Sequence, residues 1–259
     1  MFSDNDIEFF KENGYIIKKI LKENECDEIN NYVENNEKNA YYELLDNRIK
    51  FGYYHKEDED SPVNYLIRRN KIIHELGKKI LDDYDFSVIR SYYKNSFIAR
   101  DIEFHQEYFY NALHPTRENP YDYIQIFTAL EDHNIENACL KIIPKTHKEG
   151  ILPNIHFINS NLEHKISVKY DSLVECYKKY GIINCQLKKG ESIIFNHLIV
   201  HGSQNNNSPF TRKALVTTIY KKGLELNEQK KKEFIKHRKE FTKKFLQDKI
   251  DSLLEEKEY

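Results

Sequence analysis

Two histidine-bearing segments hold the residues of this chain best suited to chemistry. One reads Phe104-His105-Gln106-Glu107. The other reads Phe195-Asn196-His197-Leu198-Ile199-Val200-His201-Gly202-Ser203, with Arg212 shortly after. His-x-Glu, a distant His and then an Arg is the layout of a two-histidine, one-carboxylate iron site that leaves coordination positions open for oxygen chemistry. On a strand, residues i and i+2 share a face, so His105 and Glu107 can reach one ion. Imidazole and carboxylate together suit a first-row ion such as Fe(II). His201 lies 201 − 105 = 96 residues on, a separation that a barrel closes by bringing distant strands together. The short motif alone says little, because a chain with 11 His and 42 acidic residues contains His-x-Glu by chance. The step from His201 through the polar turn 204–209 to Arg212 is more specific. An arginine there can grip a carboxylate through a bidentate fork, so a dicarboxylate chelating the metal at one end could meet Arg212 at the other. An ordinary surface cation after a loop is the alternative that these residues leave open.

The elements that must position these groups change character along the chain. Ser3-Asp4-Asn5-Asp6 opens a short helix, with Ser3 as cap and Asp6 favouring the N-terminal dipole. Ile7, Phe9 and Phe10 give it an apolar side and Gly14 stops it. Tyr15-Ile16-Ile17 reads as a strand. A second helix is expected over 22–37, with Cys26, Ile29 and Val33 at helical spacing. Residues 38–62 are mixed, polar and rich in Tyr, and the acidic stretch 56–62 reads as a surface loop. A third helix is expected over 63–83, with Leu66, Ile73, Leu76 and Ile80 inward. From residue 86 the pattern becomes strand-like, with candidates at 86–93, 121–130, 138–144, 182–187, 192–195, 199–203 and 213–220 and a tight turn at Lys189-Gly190-Glu191. Many short strands rich in Ile, Val, Phe and Tyr are the signature of a sandwich or barrel. Residues 224–259 return to helix, where Phe234, Phe241, Phe245 and Leu253 form a stripe that packs against the barrel or serves a partner.

Composition narrows the class. The chain of 259 residues carries a net charge of −2, which gives no general push toward nucleic acid or membrane. The Lys230-Lys231-Lys232 run reads as a solvated helix face. Cys26, Cys139, Cys176 and Cys185 form no CxxC pair, so structural zinc is not expected. With no signal-like start, no apolar run of transmembrane length and no C-terminal retention address, a cytoplasmic protein with free thiols is expected.

Four ordered motifs resemble the phytanoyl-CoA dioxygenase family of Fe(II)/2-oxoglutarate oxygenases, over roughly residues 3–221. The run from Ser3 to Tyr15 is similar to the family's opening helix and strand, and Phe104-His105-Gln106-Glu107 to its Trp-His-Gln-Asp motif. Asn137-Ala138-Cys139-Leu140 with Pro144-Lys145-Thr146-His147 resembles its Asn-Gly-x-Leu and Pro-Gly-Ser-His segment. The stretch from His201 to Arg212, with Lys213-Ala214-Leu215, resembles its last motif. The resemblance implies a mainly β, double-stranded β-helix (jelly-roll, cupin-like) fold in a single domain, 1–259. Within it a helical N-terminal part covers 1–85, the jelly-roll core 86–222 and a C-terminal helix 224–259. It implies metal ligands at His105, Glu107 and His201, and 2-oxoglutarate at Arg212 with help from Ser203. Tyr123 and Gln125, on one face of the following strand, are further candidates for the co-substrate pocket. The implied activity is a hydroxylation by Fe(II), 2-oxoglutarate and O2 that releases succinate and CO2. Its substrate is a small molecule or carrier-linked metabolite, and the protein is a monomer or homodimer. A silent jelly-roll binding protein is the alternative, as are desaturation, cyclisation or epimerisation at the same iron site. Two departures stand out: Glu107 replaces the usual Asp, and Ala138 replaces the usual Gly. A carboxylate at 107 argues against halogenation, which needs a small residue there. His197 reads as structural and His147 as loop-stabilising. His114 and His133 fit the substrate entrance or the surface equally. Tyr108-Phe109-Tyr110 fits core or substrate wall.

Overall fold

In the computed structural model, residues 2–36, 41–45, 48–55, 61–97, 99, 101–107, 120–156 and 166–223 are described. The chain opens with α1 (Asp4–Asn13), β1 (Tyr15–Lys19) and α2 (Glu23–Asn35), followed by β2 (Tyr41–Leu45) and β3 (Arg48–Tyr54). Helices α3 (Pro62–Arg68) and α4 (Lys71–Leu81) lead into β4 (Tyr84–Lys94), β5 (Ile102–His105), β6 (Tyr123–Ala129) and β7 (Leu140–Ile143). Next come β8 (Asn154–His156), β9 (Ile166–Val168) and α5 (Tyr170–Tyr180). The last strands are β10 (Ile183–Cys185), β11 (Glu191–Asn196), β12 (Val200–Ser203) and β13 (Arg212–Lys221).

The strands form a seven-stranded sheet, β1-β11-β6-β13-β4-β3-β2, and a four-stranded sheet, β10-β7-β12-β5, with β8-β9 as a separate pair. Apolar residues from the two larger sheets meet in one cluster. Phe127, Ala129, Phe195, Ala214 and Val216 come from the seven strands, and Ile102, Leu140 and Ile142 from the four. The opposite face of the large sheet presents Ile124, Ile126, Ile194, Leu215 and Ile219 to the helices, which bury Ile29, Val33, Ile67 and Leu76 against it. This two-faced burial is why β6 is buried at every position instead of alternating. The result is a jelly roll with its helices on one side.

Local chemistry explains where elements begin and end. Ser3 Oγ accepts from Asp6 N at 3.2 Å and Asp6 returns the bond to Ser3 N at 2.8 Å, a reciprocal capping box. The expected helix over 63–83 is two helices. Asn70 interrupts it by accepting from the Ile72 and Ile73 backbone at 3.0 and 3.2 Å, which starts α4 afresh. The N-terminal part is also less helical than expected. Strands β1, β2 and β3 all join the large sheet, and the Tyr-rich region 38–62 contains the β2–β3 hairpin. Within the core region, α5, β8 and β9 were not expected. The acidic residues 56–60, Tyr108–Tyr110, His114 and the segment 224–259 lie outside the described residues.

Gly14 ties the helical layer to the site. It closes α1 with φ 78°, and its carbonyl accepts from Asn196 N at 2.9 Å. A Cβ there would run into the His147 ring and Ile199. Gly14→Ala therefore combines a left-handed backbone with a steric clash. It should lower unfolding free energy by about 2 kcal/mol or more, read as a fall in the urea midpoint with unchanged slope.

Candidate metal centre

Strand β12 lies between β7 and β5, and its ladder sets His201 directly opposite His105. The two ring centroids are 4.3 Å apart. Each ring is oriented through its own Nδ1. That of His105 donates to Glu103 O at 2.6 Å, and that of His201 to Ile199 O at 2.9 Å. A proton on Nδ1 leaves the Nε2 lone pair to act as a ligand, and the carbonyl behind it fixes the ring direction. Both Nε2 atoms face the Glu107 carboxylate, at 3.7 Å for His105 and 3.4 Å for His201. The three donor atoms lie within 4.8 Å of one another. Burial and the neighbouring His201 push the His105 pKa down, against the pull of Glu107. Burial would raise the Glu107 carboxyl, but the two histidine rings that face it hold it well below the usual carboxylate range. Neutral imidazole and ionised carboxylate are the forms that ligate. Two imidazole nitrogens and one carboxylate fit a first-row divalent ion and leave part of its coordination sphere open.

Glu107 does not reach this position by strand alternation. Strand β5 ends at His105, so the carboxylate comes from just past the ladder. Its neighbour Gln106 is fully buried. The Gln106 amide donates to Leu198 O at 2.8 Å and Gly150 O at 2.9 Å, and its oxygen accepts from Leu152 N at 2.9 Å. That side chain pins two loops to the segment between His105 and Glu107. Gly202 supports the same geometry. A Cβ there would stand 2.7 Å from Ile102 O and 3.2 Å from Phe104 N, so only glycine lets β12 approach β5 this closely. Sequence reasoning quoted Gln106 and Gly202 without giving either a role, because both act through backbone that is distant in sequence.

The opposite wall carries two buried cations. Arg212 and Lys94 are cross-strand partners on β13 and β4, and both are fully buried. Lys94 Nζ donates to Ser203 Oγ at 2.9 Å, which ties this pair to the strand that holds His201. The Arg212 guanidinium lies 5.5 Å over the Phe127 ring and donates through Nη1 to Ala138 O. Lys94 was missed by sequence reasoning, since one lysine in a lysine-rich chain gives no signal until register places it beside Arg212. Ala138 has φ 62° and Lys145 φ 65°. Both stand at glycines of the motif they resemble, and both keep the left-handed conformation that glycine makes easy, at a cost of about 1–2 kcal/mol each.

The remaining candidates separate. Gln125 is paired with Phe195, whose ring is 4.8 Å from that of His201, and its oxygen accepts from Thr218 Oγ1 at 2.7 Å. Tyr123 shares that inward face but is stacked between His197 at 5.3 Å and Tyr220 at 5.7 Å. Its partner Tyr220 is eight residues along β13 from Arg212, about 27 Å of strand, so Tyr123 is not beside the cation pair. His197 has the structural place expected of it. His147 does too, donating to Lys11 O at the end of α1 at 2.9 Å. His133 is neither at an entrance nor on the surface. It is 2% exposed and donates to Lys213 O at 2.9 Å. Burial and then the Arg212 charge hold its pKa down to about 3.

Comparison with known proteins shows the family and the fold. The family model described as phytanoyl-CoA dioxygenase (PhyH) matches residues 10–214. A phytanoyl-CoA dioxygenase domain-containing protein 1 homolog of Dictyostelium discoideum is 28% identical over 168 residues, covering 65% of this chain and 57% of that protein. The chain thus spans little more than half the length of that relative. The ectoine dioxygenase of Nocardia farcinica is 28% identical over 95 residues, covering 34% of this chain and 32% of that protein. Among solved structures, EctD from S. alaskensis with 2-oxoglutarate and 5-hydroxyectoine superposes with a TM-score of 0.70 at 19% identity, over 87% of this chain and 78% of that one. With its family model matched across most of its length and its fold shared with that structure, this chain belongs to the phytanoyl-CoA dioxygenase (PhyH) family.

Proposed function

We propose that the protein is an Fe(II)- and 2-oxoglutarate-dependent dioxygenase that hydroxylates a small-molecule or carrier-linked metabolite. One observation carries this reading. The convergent His105, Glu107 and His201 donors lie on the same interior as the buried Arg212–Lys94 pair, with Ser203 joining the two. His105, His201 and Glu107 are the ligands in this reading. When bound there, Fe(II) and 2-oxoglutarate supply O2 activation and insertion of one oxygen atom into a C–H bond, with formation of succinate and CO2.

The chain's own contribution is ligation, orientation and exclusion of water. Arg212 offers a planar fork to the far carboxylate, and Lys94 adds a point charge on its other side. Ser203, already oriented by Lys94, offers its hydroxyl to the same group. The face of Phe127 fixes the guanidinium plane. Gln125 stands nearer the metal, its oxygen held by Thr218 so that its amide N–H groups are the ones presented inward. Full burial of both cations removes them from competition with water and strengthens their hold on an anion. A silent binding protein is disfavoured, because both imidazoles, the carboxylate and Arg212 are all retained.

Two outcomes test the reading. Purified protein given Fe(II), 2-oxoglutarate and ascorbate in air, with a broad pool of candidate substrates, should form succinate. It should also show a weak visible charge-transfer band when the first two are added anaerobically. His105→Ala should lose both signals, and succinate no higher in the native protein than in His105→Ala would refute the assignment. Separately, Arg212→Met and Lys94→Met should each raise the 2-oxoglutarate concentration needed to develop that band. The rise expected is roughly 10- to 100-fold, the worth of one charged hydrogen bond. An unchanged titration in Arg212→Met would remove the co-substrate role.

A further inference from the structure

Arg212 stands at the start of β13, and one turn between β6 and β7, residues 132–139, holds both the tip of its side chain and the backbone beside it. That turn is closed on itself. Asn134 N donates to Asn137 Oδ1 at 2.8 Å, Asn137 N to Asn134 Oδ1 at 2.9 Å, and Asn137 Nδ2 to Asp132 O at 2.8 Å. Cys139 N closes the far side on Asn134 O at 2.8 Å. At one end of the turn the Ala138 carbonyl accepts from Arg212 Nη1. At the other end the buried His133 ring donates through Nε2 to Lys213 O at 2.9 Å, the carbonyl of the residue that follows Arg212. The His133 backbone is bonded in both directions to Leu187, at 2.8 and 3.0 Å. Its ring lies 5.8 Å from that of Phe127, the same ring that underlies the Arg212 guanidinium.

Backbone satisfaction does not account for a histidine here. Lys213 O already accepts from Leu130 N at 3.0 Å, so the bond from His133 is a second one to the same carbonyl. The other ring nitrogen, Nδ1, is buried with no hydrogen-bond partner. A leucine would fill the space against Phe127 without leaving a buried acceptor unmet. What the imidazole adds is direction, as a rigid link between the turn that supplies the Ala138 carbonyl and the strand that supplies Arg212. It does so without charge, because burial and then the Arg212 charge keep the ring neutral.

We propose that His133 is a positioning residue for Arg212, fixing the guanidinium where it grips the far carboxylate of the co-substrate and so setting the preference for a 2-oxo dicarboxylate over a 2-oxo monocarboxylate. This rests on the iron and 2-oxoglutarate reading above, and it goes beyond that reading by assigning a residue that acts through Arg212.

The experiment uses the full chain with Fe(II) under anaerobic conditions. The visible charge-transfer band is followed during titration with 2-oxoglutarate or with 2-oxopentanoate, which has the same chelating end and no far carboxylate. His133→Leu should raise the 2-oxoglutarate concentration at half-saturation roughly tenfold, the order of one charged hydrogen bond, and leave the 2-oxopentanoate titration unchanged. His133→Gln, whose amide nitrogen reaches the place of Nε2, should restore most of the native affinity. The shorter His133→Asn should behave like His133→Leu, and it carries the test if leucine prevents folding. In the Arg212→Met background, the same substitutions at 133 should cause no further loss, the non-additivity of two residues that act through one contact. A role in folding alone gives the opposite pattern, with both oxo acids weakened equally or the two losses adding. Either result overturns the proposal, as does native affinity in the Leu or Asn variant, or a Gln variant no better than Asn. Failure of the underlying reading looks different, because the native protein would then give no band, or Arg212→Met would bind 2-oxoglutarate as the native protein does.

Discussion

The pairing of β12 with β5 is the constraint on which the rest of the site depends. It sets His201 opposite His105 and, through the absent side chain of Gly202, brings the two backbones close enough for both rings to converge. Each ring is locked by the carbonyl two residues before it, so the lone pairs point toward Glu107. In the proposed reading, metal affinity draws on the ladder hydrogen bonds of the sheet, and the entropy of ordering the three side chains is already spent in folding. Gln106 extends the same logic outward by fastening the loops at Gly150 and Leu198 to the segment between His105 and Glu107.

Facing walls divide the chemistry. The small sheet holds the imidazoles, while the large sheet holds Arg212 and Lys94 on its inward side. Burying a cation costs several kcal/mol unless an anion or a set of dipoles meets it. Arg212 has the Ala138 carbonyl and the Phe127 face, and Lys94 has the Ser203 hydroxyl. His133, buried beside this pair and held neutral, adds no competing positive charge.

Much of this was legible in the residue order, and the limits of legibility have physical causes. Ser3, Gly14, Gly190 and the short Ile- and Val-rich strands announce themselves through local chemistry, and they lie where that chemistry puts them. The convergence of His105, Glu107 and His201 was readable because these residues lie within four ordered motifs. Lys94 was not readable, because a cation on a strand acquires meaning only from register, and register is a property of pairs of strands. The same holds for Tyr123. Its alternation with Gln125 is genuine, but the ladder carries it to the other end of β13 from Arg212, into a stack with His197 and Tyr220. The break at Asn70 was visible in type, since Asn is a good cap, yet the apolar periodicity on either side runs through it.

Glu107 brings these threads together. Its extra methylene looks like a perturbation if the residue is imagined on a regular strand, where Asp would suffice. Strand β5 stops at His105, however, and the backbone has left the ladder by residue 107. From there the longer arm brings the carboxylate to within 3.4 and 3.7 Å of the two Nε2 atoms. Ala138 and Lys145 follow the same pattern on the opposite side of the site, each keeping a left-handed backbone without a glycine to ease it. In all three places the backbone lies outside the regular ladder and the side chain adapts to its path. The departures from the family motif therefore alter the cost of building this geometry and leave the convergence of His105, Glu107 and His201 in place.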